Sequence, residues 1–225
     1  HAAAQQEMDR LIARLVQGDS DPDRLIAVSP RMKAIARKVD ELAEQTAPVL
    51  VVGEDGTGKT QIARLIHDGS TRAGGPLIAV NCQDLSPARA AELILGEGVG
   101  GRLQAHGHAS GGIHLAHAGT LVLRRADALE PAVQQMLAAF MNAHARKPPG
   151  TFPDTRIILT ARAKDAAADA CSGLLPVLAE CFGEVLDIPP LASRPRDILP
   201  LAEEFLARHS SSPLTITEAA QHALL

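Results

Sequence analysis

The sequence lacks the excess of basic residues that nucleic-acid-binding domains usually carry. Its 22 Lys and Arg are outnumbered by 26 Asp and Glu, which gives a formal net charge of −4. A DNA-binding module usually shows a basic balance or a basic patch. The composition of these 225 residues therefore gives no electrostatic reason to expect direct DNA binding.

Paired cysteines and long apolar runs are also missing. The three cysteines, Cys82, Cys171 and Cys181, show no CxxC spacing, which is typical of reduced thiols in a cytosolic protein. No apolar run approaches the roughly 18–20 residues of a membrane span, and the N-terminus lacks a signal-peptide pattern. We therefore expect a cytoplasmic protein without membrane contact. The chain begins at His1 rather than at Met, which suggests an excised fragment.

The stretch that organises the chain is 49–60, VLVVGEDGTGKT. Four apolar residues predict a buried strand, a glycine-rich turn follows, and Lys59 opens a helix. This is a P-loop pattern, in which glycines let backbone N–H groups and a helix N-terminus face one anion. Lys59 then reaches the β- and γ-phosphates, and the Thr60 hydroxyl takes a Mg²⁺ position. A chance match in a glycine-rich chain is the alternative, but the full pattern seldom arises between a buried strand and a helix.

The predicted nucleotide site therefore consists of one continuous segment. Its members are Gly53, Glu54, Asp55, Gly56, Thr57, Gly58, Lys59, Thr60 and Gln61.

The rest of the chain alternates between buried strands and helices, which predicts a parallel sheet covered on both faces. In such doubly wound α/β folds the ligand binds at the carboxyl ends of the strands. Residues 96–112 are rich in glycine and poor in apolar side chains, so we expect a mobile surface excursion there. The predicted strands are 49–52, 76–82, 121–123, 156–160 and 185–188, and the predicted helices besides the P-loop helix are 3–17, 31–45, 86–95, 131–144, 198–209 and 217–225.

Further motifs follow the P-loop in order. They are AVNC at 79–82, LAHAGTL at 115–121, and PPL at 189–191 followed by Arg194, Asp197 and LAE at 201–203. With GEDGTGK at 53–59, they give a chain that, from about Ile26 onward, resembles the central AAA+ domain of bacterial enhancer-binding proteins, the sigma-54-type or NtrC-type activators. The corresponding family motifs read GESGTGK, LAHGGTL and PPLRERxxDIxxLAE.

The resemblance implies a P-loop AAA+ domain with a doubly wound parallel five-stranded sheet and the start of a C-terminal helical lid. It divides the chain into a linker helix from an absent upstream regulatory domain at 1–22, the α/β subdomain at 23–192 and a partial lid at 193–225. It further implies ATP or ADP as ligand, Mg²⁺, a homo-oligomer (a dimer, or a hexameric or heptameric ring), and contact with RNA polymerase holoenzyme. Promoter DNA would be bound through a helix-turn-helix module outside this chain. The lid charges Asp197, Glu203 and Glu204 are most simply interpreted as solvated helix charges and caps.

Several departures from the family pattern bear on function. The family's GAFTGA loop, which grips the sigma factor, aligns with GGRLQA at 100–105, so that Arg102 and Leu103 replace its Phe and Thr. The resemblance therefore argues against contact with sigma-54.

The catalytic positions depart further. Where the family reads LFLDEI, residues 121–126 read LVLRRA, so Arg124 and Arg125 replace two acids. Arginine stays protonated and can be neither a base nor a metal ligand. Arg162 aligns with the sensor asparagine, and Leu174 and Glu180 align with the arginine fingers. Since fingers alone contribute about a thousandfold or more to hydrolysis, we predict that hydrolysis is lost or very weak, and that Mg²⁺ is no longer well held.

Three interpretations stay open from the sequence. The first is that a nucleotide is retained as a structural or regulatory ligand, with Arg124 in the vacated metal position and paired to the phosphates; the alternative is that Arg124 and Arg125 pair with acids such as Glu54 or Asp55 and leave an empty site. The second is a non-catalytic assembly module in a transcription regulator. The third is a site taken over by a cyclic dinucleotide or another small signal, or a residual ATPase.

Overall fold

The computed structural model describes residues 25–96, 111–146, 153–163, 173–210 and 214–224. The helix predicted at 3–17 and the loop at 100–105 lie outside these ranges. None of the helices in the described ranges is long and apolar enough to cross a membrane. The described α-helices are α1 Pro30–Ala43, α2 Lys59–Asp68, α3 Pro87–Leu95, α4 Gly112–Leu115, α5 Pro131–Ala145, α6 Pro176–Ala179, α7 Ile198–His209 and α8 Glu218–Leu224.

Five parallel strands form one sheet in the order β2-β3-β4-β1-β5. Every element predicted from the periodicity in the described ranges is present with bounds within two residues, and the doubly wound five-stranded sheet is confirmed. The two short helices α4 and α6 were not predicted. The strands are β1 Val49–Gly53, β2 Leu77–Asn81, β3 Thr120–Arg124, β4 Arg156–Arg162 and β5 Glu184–Ile188.

The P-loop strand β1 lies inside the sheet, between β4 and β5. Val51 pairs with Thr160 on one side and Leu186 on the other. Because side chains alternate along a strand, Leu50 and Val52 pack with α3 and α5, while Val51 packs with α1 and α2. Both faces are therefore covered, which explains why all five β1 residues are buried.

The start of α1 is fixed by a residue far away in sequence. Asp197 is fully buried and accepts hydrogen bonds from Val28 N at 2.8 Å, from Ser29 N at 2.7 Å and from Ser29 Oγ at 2.6 Å. Ser29 Oγ in turn accepts from Met32 N and caps the helix. The interpretation of Asp197 as a solvated charge is therefore wrong, because this carboxylate is buried and satisfies donors at the start of α1.

The expectation of a surface excursion across 96–112 is wrong at both of its ends. Gly96, Gly111 and Gly112 are buried. A Cβ on Gly111 would come within 2.2 Å of Gly96 N, so only glycine permits this contact. Ile113, in the following helix α4, belongs to the core. Residues 97–110 lie outside the described ranges.

Candidate functional site

The P-loop forms the turn between β1 and α2. Gly56 and Gly58 adopt positive φ angles of 81° and 99°, which side chains disfavour. A Cβ on Gly53 would lie 2.8 Å from Thr57 Oγ1 and 2.9 Å from Ile188 O, so this glycine is required by close packing. These glycines give the loop the tight turn that the P-loop pattern requires.

The P-loop lysine is folded back onto its own loop. Lys59 Nζ donates to Gly53 O at 2.8 Å and to Glu54 O at 2.6 Å, and the residue is only 7% exposed. Burial lowers the pKa of Lys59, and the nearby carboxylate of Asp55 opposes this shift. The lysine thus satisfies two loop carbonyls while remaining at the edge of the cavity.

A polar cavity of about 400 Å³ opens at the carboxyl edge of the sheet beside the loop. This volume lies in the usual range of small-ligand sites. Of the predicted site residues, Gly53 and Thr57 lie buried beneath the loop and Glu54 is exposed. Gln61, in the first turn of α2, is half-buried and does not line the cavity. The lining residues are Asp55, Gly56, Gly58, Lys59, Thr60, Asn81, Gln83, Arg124, Arg125 and Thr160.

Arg124, which ends β3, and Arg125, which follows it, behave differently. Arg125 has left-handed backbone angles (φ 56°, ψ 47°), and its N–H donates to Thr160 Oγ1 at 3.2 Å. Its guanidinium lies 3.3 Å from Asp55 and 3.4 Å from Asp127. Arg124 lines the cavity and forms no ion pair with the described residues. The alternative in which arginines pair with P-loop acids is therefore confirmed for Arg125 with Asp55, but not for Arg124.

A second arginine reaches the Asp55 carboxylate from β4. Arg162 Nη2 donates to Asp55 Oδ2 at 2.7 Å, and the Arg162 N–H donates to Asp127 Oδ1 at 3.2 Å. Partial desolvation raises the pKa of Asp55. The hydrogen bond from Arg162 and the charges of Arg125, Arg162 and Lys59 lower this pKa, and together they outweigh the desolvation. The Asp55 pKa is therefore below its usual range, and this carboxylate stays ionised at neutral pH.

The residues around the cavity do not fit a Mg²⁺ site of the kind the family pattern implies. The Thr60 hydroxyl lines the cavity, but arginines occupy the two positions where the pattern has acids. Across the described residues, no three His, Cys, Asp or Glu side chains lie close enough to hold a metal ion. Mg²⁺ is usually held by one or two carboxylates together with substrate phosphates, and the one carboxylate among the described residues that lines this cavity, Asp55, is paired with Arg125 and Arg162.

The segment after β5 contacts the P-loop through one buried arginine. Arg194 is 6% exposed, and its Nη2 donates to Thr57 O at 3.1 Å. Desolvation lowers the pKa of Arg194, and Asp197 opposes the shift. The sequence matched Arg194 to a motif but gave no signal for this contact.

A second cavity, of about 500 Å³, was also missed by sequence reasoning. It lies between the segment before α1 and helix α7. Just before α7, Asp197 bonds to the segment before α1 and Arg194 bonds to the P-loop. Its lining residues are Leu25, Ile26, Ala27, Val28, Pro200, Glu203, Glu204 and Ala207.

The positions aligned with arginine fingers carry no guanidinium. Leu174 is 9% exposed and packs in the core, while Glu180 is exposed and follows α6. Neither side chain can stabilise phosphate charge.

A parallel sheet in this order, with a P-loop after its inner strand β1, places the domain in the class of AAA+ P-loop domains. Residues 25–166 match the family model described as the sigma-54 interaction domain. The chain belongs to that family.

Curated relatives and solved structures agree with this assignment. The Nif-specific regulatory protein of Herbaspirillum seropedicae is 32% identical over 210 residues, which are 90% of this chain and 38% of the relative. The HTH-type transcriptional regulatory protein TyrR of Enterobacter agglomerans is 30% identical over 209 residues, 89% of this chain and 40% of the relative. The crystal structure of NtrX from Brucella abortus in complex with ADP superposes with a TM-score of 0.71 at 22% identity, over 98% of this chain and 51% of NtrX. This chain therefore spans less than half of the two curated relatives, and the NtrX likeness supports the fold alone.

Proposed function

We propose that this chain is the nucleotide-binding AAA+ module of a bacterial transcription regulator, and that it holds ADP or ATP as a regulatory ligand with little or no hydrolysis. The observation that carries the proposal is the combination of a complete P-loop cradle with arginines at both acid positions after β3. NtrX, which shares the fold, has been crystallised with ADP. The cradle has lost its catalytic partners and has kept its anion-binding parts.

The phosphates are proposed to lie against the loop N–H groups, Lys59 and Arg124. The P-loop glycines and the N-terminus of α2 provide backbone donors and a favourable dipole. Arg124 lines the cavity without an ion-pair partner among the described residues, so its guanidinium is available for phosphate oxygens. In this arrangement Arg124 replaces the charge that a metal ion would supply. The apolar walls of the second cavity, Leu25, Ile26 and Val28, are proposed to hold the base.

Loss of hydrolysis follows from the replaced groups. A phosphoryl-transfer site needs a metal, a group that positions the water and charge stabilisation from a finger. Here the first two positions hold Arg124, Arg125 and Arg162, and the finger positions hold Leu174 and Glu180. Loss of the finger alone lowers turnover by about a thousandfold or more, so the combined losses leave almost no catalysis.

Assembly and partners are proposed on the family alone. Members of this class commonly act as oligomers, so we propose a homo-oligomer, either a dimer or a hexameric or heptameric ring, with the 1–22 segment as a linker helix. We also propose contact with RNA polymerase holoenzyme, whereas promoter DNA would be bound through a helix-turn-helix module outside this chain. The Arg102 and Leu103 replacements argue against a sigma-54 grip.

Nucleotide binding and turnover, measured on one preparation, test the proposal. Isothermal titration calorimetry is the suitable method, since the chain has neither Trp nor Tyr for intrinsic fluorescence. We expect ADP and ATP to bind in EDTA, and Lys59→Ala to weaken binding by about tenfold or more. Lys33→Ala removes one exposed charge on α1 and is the matched control. Phosphate release should stay at the level of the Lys59→Ala protein.

Two results would contradict it. Binding that vanishes without divalent metal would exclude the phosphate role of Arg124. Turnover at ordinary AAA+ rates, abolished by Lys59→Ala, would show that hydrolysis is retained.

A further inference from the structure

One carboxylate occupies the region of the cradle where cations converge. Asp55 lies 2.7 Å from Arg162, 3.3 Å from Arg125 and 3.9 Å from Lys59. Three cations, Arg162 at the end of β4, Arg125 just after β3 and Lys59 in α2, thus surround the Asp55 carboxylate, and Arg125 also lies 3.4 Å from Asp127. The backbone around it is the P-loop turn, whose N–H groups suit an anion.

This arrangement reverses the charges of the family pattern. The family motif has serine where Asp55 stands, and an acid and an asparagine where Arg125 and Arg162 stand. In this chain the acid stands in the loop, at Asp55, instead of at the end of β3. The positive charges stand at the strand ends, at Arg125 and Arg162, instead of on a bound metal ion. The three changes are explained together if Asp55 pairs with the arginines while no phosphate is bound.

We propose that the Asp55 carboxylate is an internal competitor, which a phosphate group must displace from Arg125 and Arg162, and that it thereby sets the charge specificity of the site. This inference rests on the proposed nucleotide binding and names the residue that regulates it. The backbone of Asp55 still belongs to the cradle, whereas its side chain opposes the ligand.

The ion pairs are suited to such an exchange. The side chains of Asp55 and Arg162 are 54% and 49% exposed, and ion pairs this exposed contribute little and open readily. A phosphate group carries more charge than one carboxylate and can bond two guanidiniums at once. Gly56, which follows Asp55 and has open space around it, lets the loop turn without a steric clash.

The competition predicts a preference for metal-free ligands. Bound Mg²⁺ cancels two negative charges of a nucleotide, so Mg-ADP displaces Asp55 less effectively than free ADP does. The site would then discriminate by ligand charge rather than by contacts to a metal.

Removal of the competing charge tests the inference. Calorimetric titrations with ADP, in EDTA and in excess Mg²⁺, compare the wild-type chain with Asp55→Asn and with Asp55→Ser, which restores the residue of the family motif. We expect both variants to bind free ADP about tenfold or more tightly than the wild type, and the wild-type preference for free ADP over Mg-ADP to shrink. Asp40→Asn makes the same charge change at an exposed position of α1 and should leave both affinities within about twofold.

The outcomes separate this inference from the function on which it rests. If the wild type binds ADP and the Asp55 variants bind it equally or more weakly, Asp55 is no competitor, although the site binds nucleotide. If only the Asp55 variants bind, the competition is confirmed in its strongest form. If no variant binds ADP, the proposed function fails and this inference fails with it.

Discussion

Ala118 is in a backbone conformation that suits glycine, and we predict that Ala118→Gly stabilises the domain. Its φ angle is 59°, in the left-handed region, and the family motif LAHGGTL has glycine at this position. Neighbouring contacts hold the conformation in place: Ala118 N donates to Asp154 O at 2.8 Å, and a Cβ on Gly75 would lie 2.3 Å from Ala118 O. The backbone therefore cannot relax to relieve the strain.

The size of the effect follows from two opposing quantities. A left-handed conformation costs a non-glycine residue about 1–2 kcal/mol. Glycine has more conformational freedom than alanine in the unfolded chain, and this reduces the gain in folding free energy by about 0.4–1 kcal/mol. The Ala118 methyl is exposed, so its removal loses little packing. We expect a net stabilisation of about 0.5–1 kcal/mol, or a rise in Tm of roughly 1–4 °C for a domain of this size.

Urea unfolding followed by circular dichroism measures this difference. Ala34→Gly is the control, because Ala34 is exposed in the middle of α1 and should lose about 1 kcal/mol on the same substitution. The two variants should therefore shift in opposite directions. A destabilisation of Ala118→Gly similar to that of Ala34→Gly would refute the strain argument.

Two further predictions concern buried polar groups. Asp197→Ala leaves the two buried donors of Ser29 and the part-buried N–H of Val28 without their carboxylate partner and should cost about 3 kcal/mol in urea unfolding; a loss no larger than that of Asp187→Ala, whose carboxylate is exposed, would contradict this account. Burial lowers the pKa of His67, whose Nδ1 lies 2.9 Å from Thr120 Oγ1, so the unfolded chain takes up the proton first. The stability from the neutral ring is present above the unfolded pKa of about 6.5 and is lost as pH falls through the folded pKa; His67→Asn should remove this part of the pH dependence, and an unchanged pH profile would contradict it.

The sequence predicted the elements whose signals are local. The β1 strand, the P-loop and α2 were predicted because apolar runs, glycines and helix periodicity stand next to one another in the chain. The short helix α4 and the buried contact between Gly96 and Gly111 were missed, since a close approach of two glycines leaves no periodic pattern. Asp197 was misinterpreted because its partner Ser29 is 168 residues away, and the sequence around Asp197 carries no pattern that indicates this contact.

The candidate site shows the same limit at finer scale. Pairing of both Arg124 and Arg125 with acids such as Glu54 or Asp55 was one alternative from the sequence, but among the described residues only Arg125 makes such a pair, with Asp55. This pairing depends on the left-handed backbone of Arg125, which turns this residue towards Asp55 and Asp127. The contribution of Arg162 depends on the register of β4 beside β1, where Arg162 pairs with Gly53. Both are properties of the assembled sheet.

A P-loop could persist for structural reasons alone, since Lys59 satisfies the carbonyls of Gly53 and Glu54, and Arg194 satisfies that of Thr57. A purely structural loop, however, would need charges in balance, because unpaired like charges in one cavity repel one another. The cavity is instead lined by three cations, Lys59, Arg124 and Arg125, and one carboxylate, Asp55. Arg162 adds a fourth cation, and Asp127, 3.4 Å from Arg125, adds a second carboxylate, so cations still outnumber carboxylates by four to two. Such an excess is costly without an anion and favourable with one, so the charges around the loop favour a phosphate ligand over a scaffold role.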